Sequence, residues 1–300
     1  MARRVAAALA LLLFAAACGG AKDPEPGAGV GTATSQDSSS TTGSAGSDPT
    51  ATTTRGASSP GTTDRITTRP TSGRSDSASK PLIDDGADRS VGGFAGLLLA
   101  EGVADRLVLD VRVGRDATAS QGAIDAMAQA LRTHSGKPVD VTSAALTGVD
   151  EGTHTGDEIR RLASNQGTPN RDGVAVLHVL YLGGQFEKDG TLGVAVRGDT
   201  VALFPDAVDQ AVSPFASRSR IEHAIAVHEL GHVLGLVDLY LDRDRADPDH
   251  PGHSANRNSV MFWAVETSLV GQVLGGPPAI DFDAEDVADL KQIRAGAARA

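Results

Sequence analysis

Residues 219–236 form the clearest helical pattern in this 300-residue chain, and they contain His228-Glu229-Leu230-Gly231-His232. Two histidines at i and i+4 project from one helical face a turn apart, so both imidazoles reach a single ion. Zinc suits them, because it accepts imidazole nitrogen in tetrahedral geometry and keeps a place for water when the protein supplies three ligands. Glu229 need not touch the metal. From its position the carboxylate reaches the zinc-activated water as general base and later carries the proton. Ile221, Ile225, Leu230 and Leu234 hold such a helix in a core while the histidine face opens on a cleft. The bland alternative is a helix with two histidines and a surface glutamate. With eight histidines in the chain, chance produces H-E-x-x-H in roughly one such chain in a hundred or fewer. Gly235, three residues after His232, makes chance rarer still. His223 points elsewhere on the helix and reads as structural.

The run from His228 to Gly235 resembles the H-E-x-x-H-x-x-G core of the metzincin metalloproteases. In that family the glycine breaks the helix, the chain turns back with a third ligand, and a methionine turn packs beneath the metal. Ser259-Val260-Met261-Phe262 is similar to that turn. The archaemetzincin branch reads H-C-x-x-x-x-C-V-M, and this chain has His253-Ser254-Ala-Asn-Arg-Asn-Ser259-Val260-Met261, with both cysteines replaced by serine. The resemblance spans 221–263. It implies a zinc-dependent endopeptidase acting on peptide or protein substrates, with His228, His232 and a third residue binding Zn2+ and Glu229 as the catalytic base.

Three residues compete for the third ligand. Asp238 has the standard forward spacing, six residues after His232. His253 has the right spacing back from Met261 and follows Pro251-Gly252, which can turn the backbone; residues 238–252 are then an acidic insertion. His250 lies three residues earlier in the same loop. His253 is favoured. A gluzincin-type site would use Glu266 as third ligand, but Gly235 and the spacing to Met261 speak against it. The competing class is a non-enzymatic lipoprotein that binds zinc structurally, or binds peptides as a degenerate protease. An intact Glu229 disfavours it, since a closed structural site has no need of a base.

The N-terminal part differs in character. Arg3 and Arg4 precede an apolar run from Val5 to Ala17, the length and charge order of a secretory signal peptide. It ends Ala15-Ala16-Ala17-Cys18-Gly19-Gly20, which resembles a bacterial lipoprotein cleavage box, with Ala15 where leucine is usual. That likeness implies cleavage before Cys18, a lipid on its thiol and an extracytoplasmic domain anchored to a membrane. Cys18 is the only cysteine, which excludes an intrachain disulfide framework. Ser and Thr fill 25 of the 62 positions from 19 to 80, a segment too poor in apolar residues to offset its chain entropy. It reads as a disordered tether. The net charge of −11 argues against nucleic acid as partner. Beyond Lys80, 32 acidic side chains face 19 basic ones.

The expected organisation is a signal peptide over 1–17, lipidated Cys18 with its linker over 18–84, and one monomeric zinc metalloprotease domain over 85–300. Within that domain Arg106–Val113 alternates as a strand, 120–134 has helical spacing, and 139–141 and 173–182 read as strands. The second of these is apolar enough to be buried on both faces. Residues 156–165 form a weaker helix, 192–196 and 200–204 a hairpin or an edge strand, and 284–295 a last helix capped by Asp283. The fold class is α+β with α/β character: a mostly parallel twisted sheet, an active-site helix and a C-terminal helix. His178 reads as a satisfied core histidine, His134 as a helix-end cation and His154 as a loop residue with no partner. Phe262 and Trp263 read as core.

Overall fold

The computed structural model describes residues 89–300; the expected signal peptide, Cys18 and the whole linker lie outside the described residues. After a short helix α1 (Ala95–Leu99), strand β1 (Arg106–Val113) sends Leu107, Leu109 and Val111 to one face and Val108, Asp110 and Arg112 to the other. The first set is buried in the main core with Ile124, Met127 and Leu131 of α2 (Gln121–Ser135). The Ser120 side chain accepts a hydrogen bond from the Ala123 N–H at the start of α2, and Gly136 ends it at φ +69°.

Strand β2 (Val139–Ala145) runs four residues beyond the predicted 139–141. It pairs with β1 in parallel as far as Ala145, yet every side chain after Val139 is exposed. Backbone pairing holds this edge, so no hydrophobic pattern marks it. A short β3 (Gly152–His154) precedes α3 (Gly156–Gln166), whose first turn is capped by the Thr155 hydroxyl. Strand β4 (Val174–Tyr181) lies beside β1 in parallel and is buried from Ala175 onward, as its apolar run predicts.

Strand β5 (Gly184–Phe186) pairs with β3 in a separate two-stranded sheet. Then β6 (Gly193–Arg197) and β7 (Thr200–Leu203) form the expected hairpin. The main sheet has the order β2-β1-β4-β7-β6, parallel except for β6 at its edge. A mixed α/β domain with a mostly parallel sheet is therefore present.

Helix α4 (Pro205–Ala211) leads to α5 (Arg218–Val233), which packs on α2 and along β6 and β7. This is the predicted active-site helix, and it stops three residues earlier than expected. Gly235 sits at φ +78°, a conformation only glycine adopts freely, and a side chain there would run into Tyr240. The chain continues through the hairpin of β8 (Ala246–Asp247) and β9 (His250–Ser254), a 3-10 turn over Trp263–Glu266, and α6 (Val270–Leu274). It closes with α7 (Ala284–Arg294), which has a capping box between Asp283 and Asp286. Among the described residues no helix is long and apolar enough to cross a membrane.

The histidines away from α5 divide. His178 is the expected core residue, its Nδ1 3.2 Å from the Asp110 carboxylate on the neighbouring strand. That imidazole, Arg112 and the Thr168 N–H together outweigh burial and hold the Asp110 carboxyl far below its usual range. His154 corrects the sequence reading: it is buried on β3, its Nε2 bonds the Gly183 carbonyl at 2.9 Å, and it stacks on Phe204. His134 is corrected too. It sits edge-on to Phe282, and desolvation, then the charge of Lys291, lowers its pKa and so disfavours its charged form.

Candidate metal centre

Helix α5 is buried continuously from Ala224 to Val233, so His228 and Glu229 are taken wholly out of solvent. His228 and His232 turn one ring nitrogen each to a common point, with Nε2 to Nε2 at 3.0 Å. The loop after α5 brings His253 of β9 against both, at ring-centroid distances of 5.2 Å from His228 and 4.8 Å from His232. Glu266 joins them from the 3-10 turn, its Oε2 3.4 Å from His253 Nε2 and 3.9 Å from His228 Nε2. One ligand atom from each of the four residues lies within 4.8 Å of all the others. The structure thus brings together all three favoured histidines, and it places Glu266 beside His253 instead of in its stead.

The other two candidates for third ligand have different work. Asp238, at φ +64°, turns its carboxylate onto the loop and accepts from the N–H groups of Arg243, Arg245 and Ala246 at 2.9, 2.7 and 2.8 Å. It organises the insertion that ends in His253. His250 stacks flat on Trp263 at 4.4 Å and pairs with Asp247. Neither belongs to the cluster.

Met261 is fully buried beneath α5, and a side chain on Gly231 would run into its sulfur, so the glycine inside the helix motif makes room for the methionine. The backbone of the same turn also orients a ligand. The Val260 carbonyl lies 2.7 Å from His228 Nδ1 and accepts a hydrogen bond from its N–H, which leaves the Nε2 lone pair facing the cluster. Ser254 and Ser259, where the resembling pattern has cysteines, are buried and bonded within the loop to Asn256 N–H and Met261 N–H. No thiolate chemistry is left at those two positions.

The electrostatics favour neutral imidazoles. Desolvation, then the charge of His253, takes His228 down to about 4 against the opposing pull of Glu266. Desolvation, then His228 and His253, lowers His232 well below its usual value. Neutral histidine is the form that binds metal. Desolvation pushes Glu266 upward, but His253, His228 and Lys188 outweigh it and keep the carboxyl below its ordinary value. Glu229 goes the other way: burial first, then the negative charge of Glu266, raises it well above the usual carboxylate range. Both of its oxygens lack a hydrogen-bond partner; the Ala195 N–H of β6 faces it without closing a bond. Gly193 on the same strand lets the Glu229 stem approach, since a Cβ there would come within 3.1 Å of it.

Both ring nitrogens of His253 are buried without a hydrogen-bond partner, as are the oxygens of Glu229. Orphaned donor atoms of this kind are costly unless something absent from the chain satisfies them. Three imidazoles and a carboxylate at these separations are a donor set that Zn2+ accepts. Sequence reasoning weighed Glu266 only as a substitute for a histidine. The available signal was its isolation: it is the sole carboxylate between Asp249 and Asp281.

No protein-family model matches the chain, and no curated protein matches it. Twelve chains of solved structures match it, the following three among them. An archaemetzincin from Archaeoglobus fulgidus, complexed with malonate, is 16% identical, with 61% of this chain and 98% of that chain covered at a TM-score of 0.37. An archaemetzincin from Methanopyrus kandleri is 17% identical over 64% and 97%, at a TM-score of 0.40. A zinc-dependent peptidase from Methanocorpusculum labreanum is 15% identical over 61% and 99%, at 0.38. At such values the likeness is weak, and the chemistry of the site rests on its own geometry.

Proposed function

We propose that residues 89–300 are a zinc-dependent endopeptidase, with His228, His232 and His253 holding the metal and Glu229 acting as general base. One observation carries this reading: a buried, unpartnered carboxylate of raised pKa lies one residue from a converging set of imidazoles. When bound, zinc supplies a Lewis acid that acidifies water and polarises a carbonyl. The chain's own residues do the rest. His228 is held in one orientation by the Val260 carbonyl, and Met261 floors the site. Glu229 takes a proton from water at its carboxylate oxygen and returns it to the leaving amine nitrogen. Its raised pKa makes the ionised carboxylate a stronger proton acceptor than an ordinary glutamate.

A second reading has support in one distance. With Glu266 3.4 Å from His253 Nε2, four protein ligands would close the site and make it structural. Catalysis separates the two. Zinc content and chelator-sensitive cleavage of casein support the peptidase; cleavage that survives zinc removal sinks it. Glu229→Ala should abolish turnover and leave zinc stoichiometry near wild type, since Glu229 acts on water and not on the metal.

The sequence from Met1 to Gly20 further supports export and lipid anchoring through Cys18, with the catalytic domain outside the membrane. Cys18→Ser should then release the protein from the membrane fraction, and a wild-type protein that fractionates as soluble contradicts the anchor.

A further inference from the structure

A cavity outside the metal centre is lined by the start of α5 and by the loop that follows His253. It has a volume of about 600 Å³ and is lined by Arg220, Arg257 and Asn258 together with an apolar wall of Leu274, Pro277 and Ala279. No carboxylate lines it. Elsewhere in the domain Arg112, Arg160, Arg197, Arg218 and Arg245 each pair with an aspartate or glutamate.

Arg220 and Arg257 have no such partner among the described residues. Both are nevertheless held in place. Arg220 Nε donates to the Pro278 carbonyl at 2.9 Å, and Arg257 donates through one terminal nitrogen to the Val273 carbonyl. A neutral carbonyl fixes each guanidinium without cancelling its charge, and each keeps further N–H groups for another acceptor. Two fixed, uncompensated guanidinium forks facing one cavity match the planar, two-oxygen geometry of a carboxylate. The apolar wall beside them suits the methylene stem that carries it.

The two arginines lie on the same two segments that carry the three histidines. Arg220, Ala224, His228 and His232 follow one another at four-residue spacing along one side of α5. Arg257 lies in the loop that joins His253 to Met261. Eight residues of helix separate Arg220 from His228, about 12 Å along the axis at ~1.5 Å per residue. An extended peptide advances ~3.3 Å per residue, so a carboxylate in the cavity belongs to a residue within about four of the scissile bond.

We propose that this cavity is a carboxylate-recognition subsite of the peptidase, taking an acidic side chain or the C-terminal carboxylate of the bound peptide. The proposal rests on the peptidase reading of the metal centre. The overall acidity of the domain would steer basic peptides toward it, whereas this subsite selects for a carboxylate at one point.

The test uses the full-length, zinc-loaded protein and matched peptides with Glu or Gln at each of the four positions on either side of the cleaved bond. Each is made as a free acid and as a C-terminal amide. The expected result is a kcat/KM at least about tenfold higher for Glu than for Gln at one position, or for free acid over amide. The first outcome assigns a side chain and the second a chain terminus. Measured within the Arg220→Gln/Arg257→Gln double variant, that ratio should fall close to one. A ratio near one throughout the wild type, or a preference that survives the double variant, overturns the subsite.

A readout independent of turnover keeps the two readings apart. In Glu229→Ala protein, an acetylated Ala/Glu peptide should slow phenylglyoxal modification of Arg220 and Arg257, followed by mass spectrometry, and its Ala/Gln twin should not. Protection without any cleavage by wild type rejects the peptidase and retains carboxylate binding. Cleavage without protection or selectivity rejects the subsite alone.

Discussion

Replacing Asp238 by alanine separates a residue that builds the ligand-bearing loop from one that binds metal. The Asp238 carboxylate accepts three backbone N–H groups, from Arg243, Arg245 and Ala246, within the insertion that delivers His253. Hydrogen bonds to a charged acceptor contribute about 1.5–3 kcal/mol each when buried. Asp238 is half-buried, so roughly 1 kcal/mol apiece is the appropriate scale. Alanine also meets a φ of +64°, where aspartate and asparagine are tolerated better. The loss should come to about 3 kcal/mol, or a Tm lower by about 10 °C for a domain of this size.

Asparagine should lose less, because it keeps one acceptor oxygen and suits the left-handed backbone. The expected Tm order is therefore wild type, Asp238→Asn, Asp238→Ala, measured by calorimetry on chelator-treated protein. At saturating metal both variants should still bind one zinc per chain. An Asp238→Ala protein with unchanged Tm and lost zinc would refute the reasoning, because Asp238 would then be a ligand and its three backbone bonds incidental.

Two further outcomes follow from the same geometry. His253→Ala should weaken zinc binding by orders of magnitude in a metal-competition titration, while His250→Ala keeps zinc and shifts the emission of Trp263, on which His250 stacks; equal zinc loss in both would contradict the placement of His253. Metal-stripped protein should also be acid-sensitive. His228 has a folded pKa of about 4, below its unfolded value near 6.5, so the unfolded chain takes up the proton first. Its contribution is complete above about pH 6.5 and falls away toward pH 4, by about 3 kcal/mol from this residue. A urea midpoint that stays flat across that window would refute the burial of a neutral His228.

Much of this molecule was legible because burial writes itself into sequence as periodicity. The apolar run of β4, the spacing of Ile124, Met127 and Leu131 in α2, and the aspartate cap of α7 all appear where the pattern predicts. The remainder of β2 was not legible, since its side chains face solvent and only backbone pairing holds it. Nor were the partners of His154, which come from Gly183 and Phe204, far along the chain.

The metal centre divides along the same line. His228, Glu229 and His232 lie on one helix, where separation in sequence converts directly to separation in space. His253 was reachable only by counting back from Met261, because Asp238 had the spacing of a ligand. What decides between them is the local backbone. Val237 and Asp238 both lie at positive φ after Gly235, and this turn directs the Asp238 carboxylate to the loop's own N–H groups. An aspartate satisfied by three backbone donors has little left to offer a metal, whereas both ring nitrogens of His253 are buried without a hydrogen-bond partner. The unsatisfied group, more than the well-spaced one, identifies the ligand. The same criterion marks Glu229, whose two oxygens without hydrogen-bond partners, beside the imidazoles of His228 and His232, are tolerable in a folded protein only if a proton or a reacting water regularly occupies them.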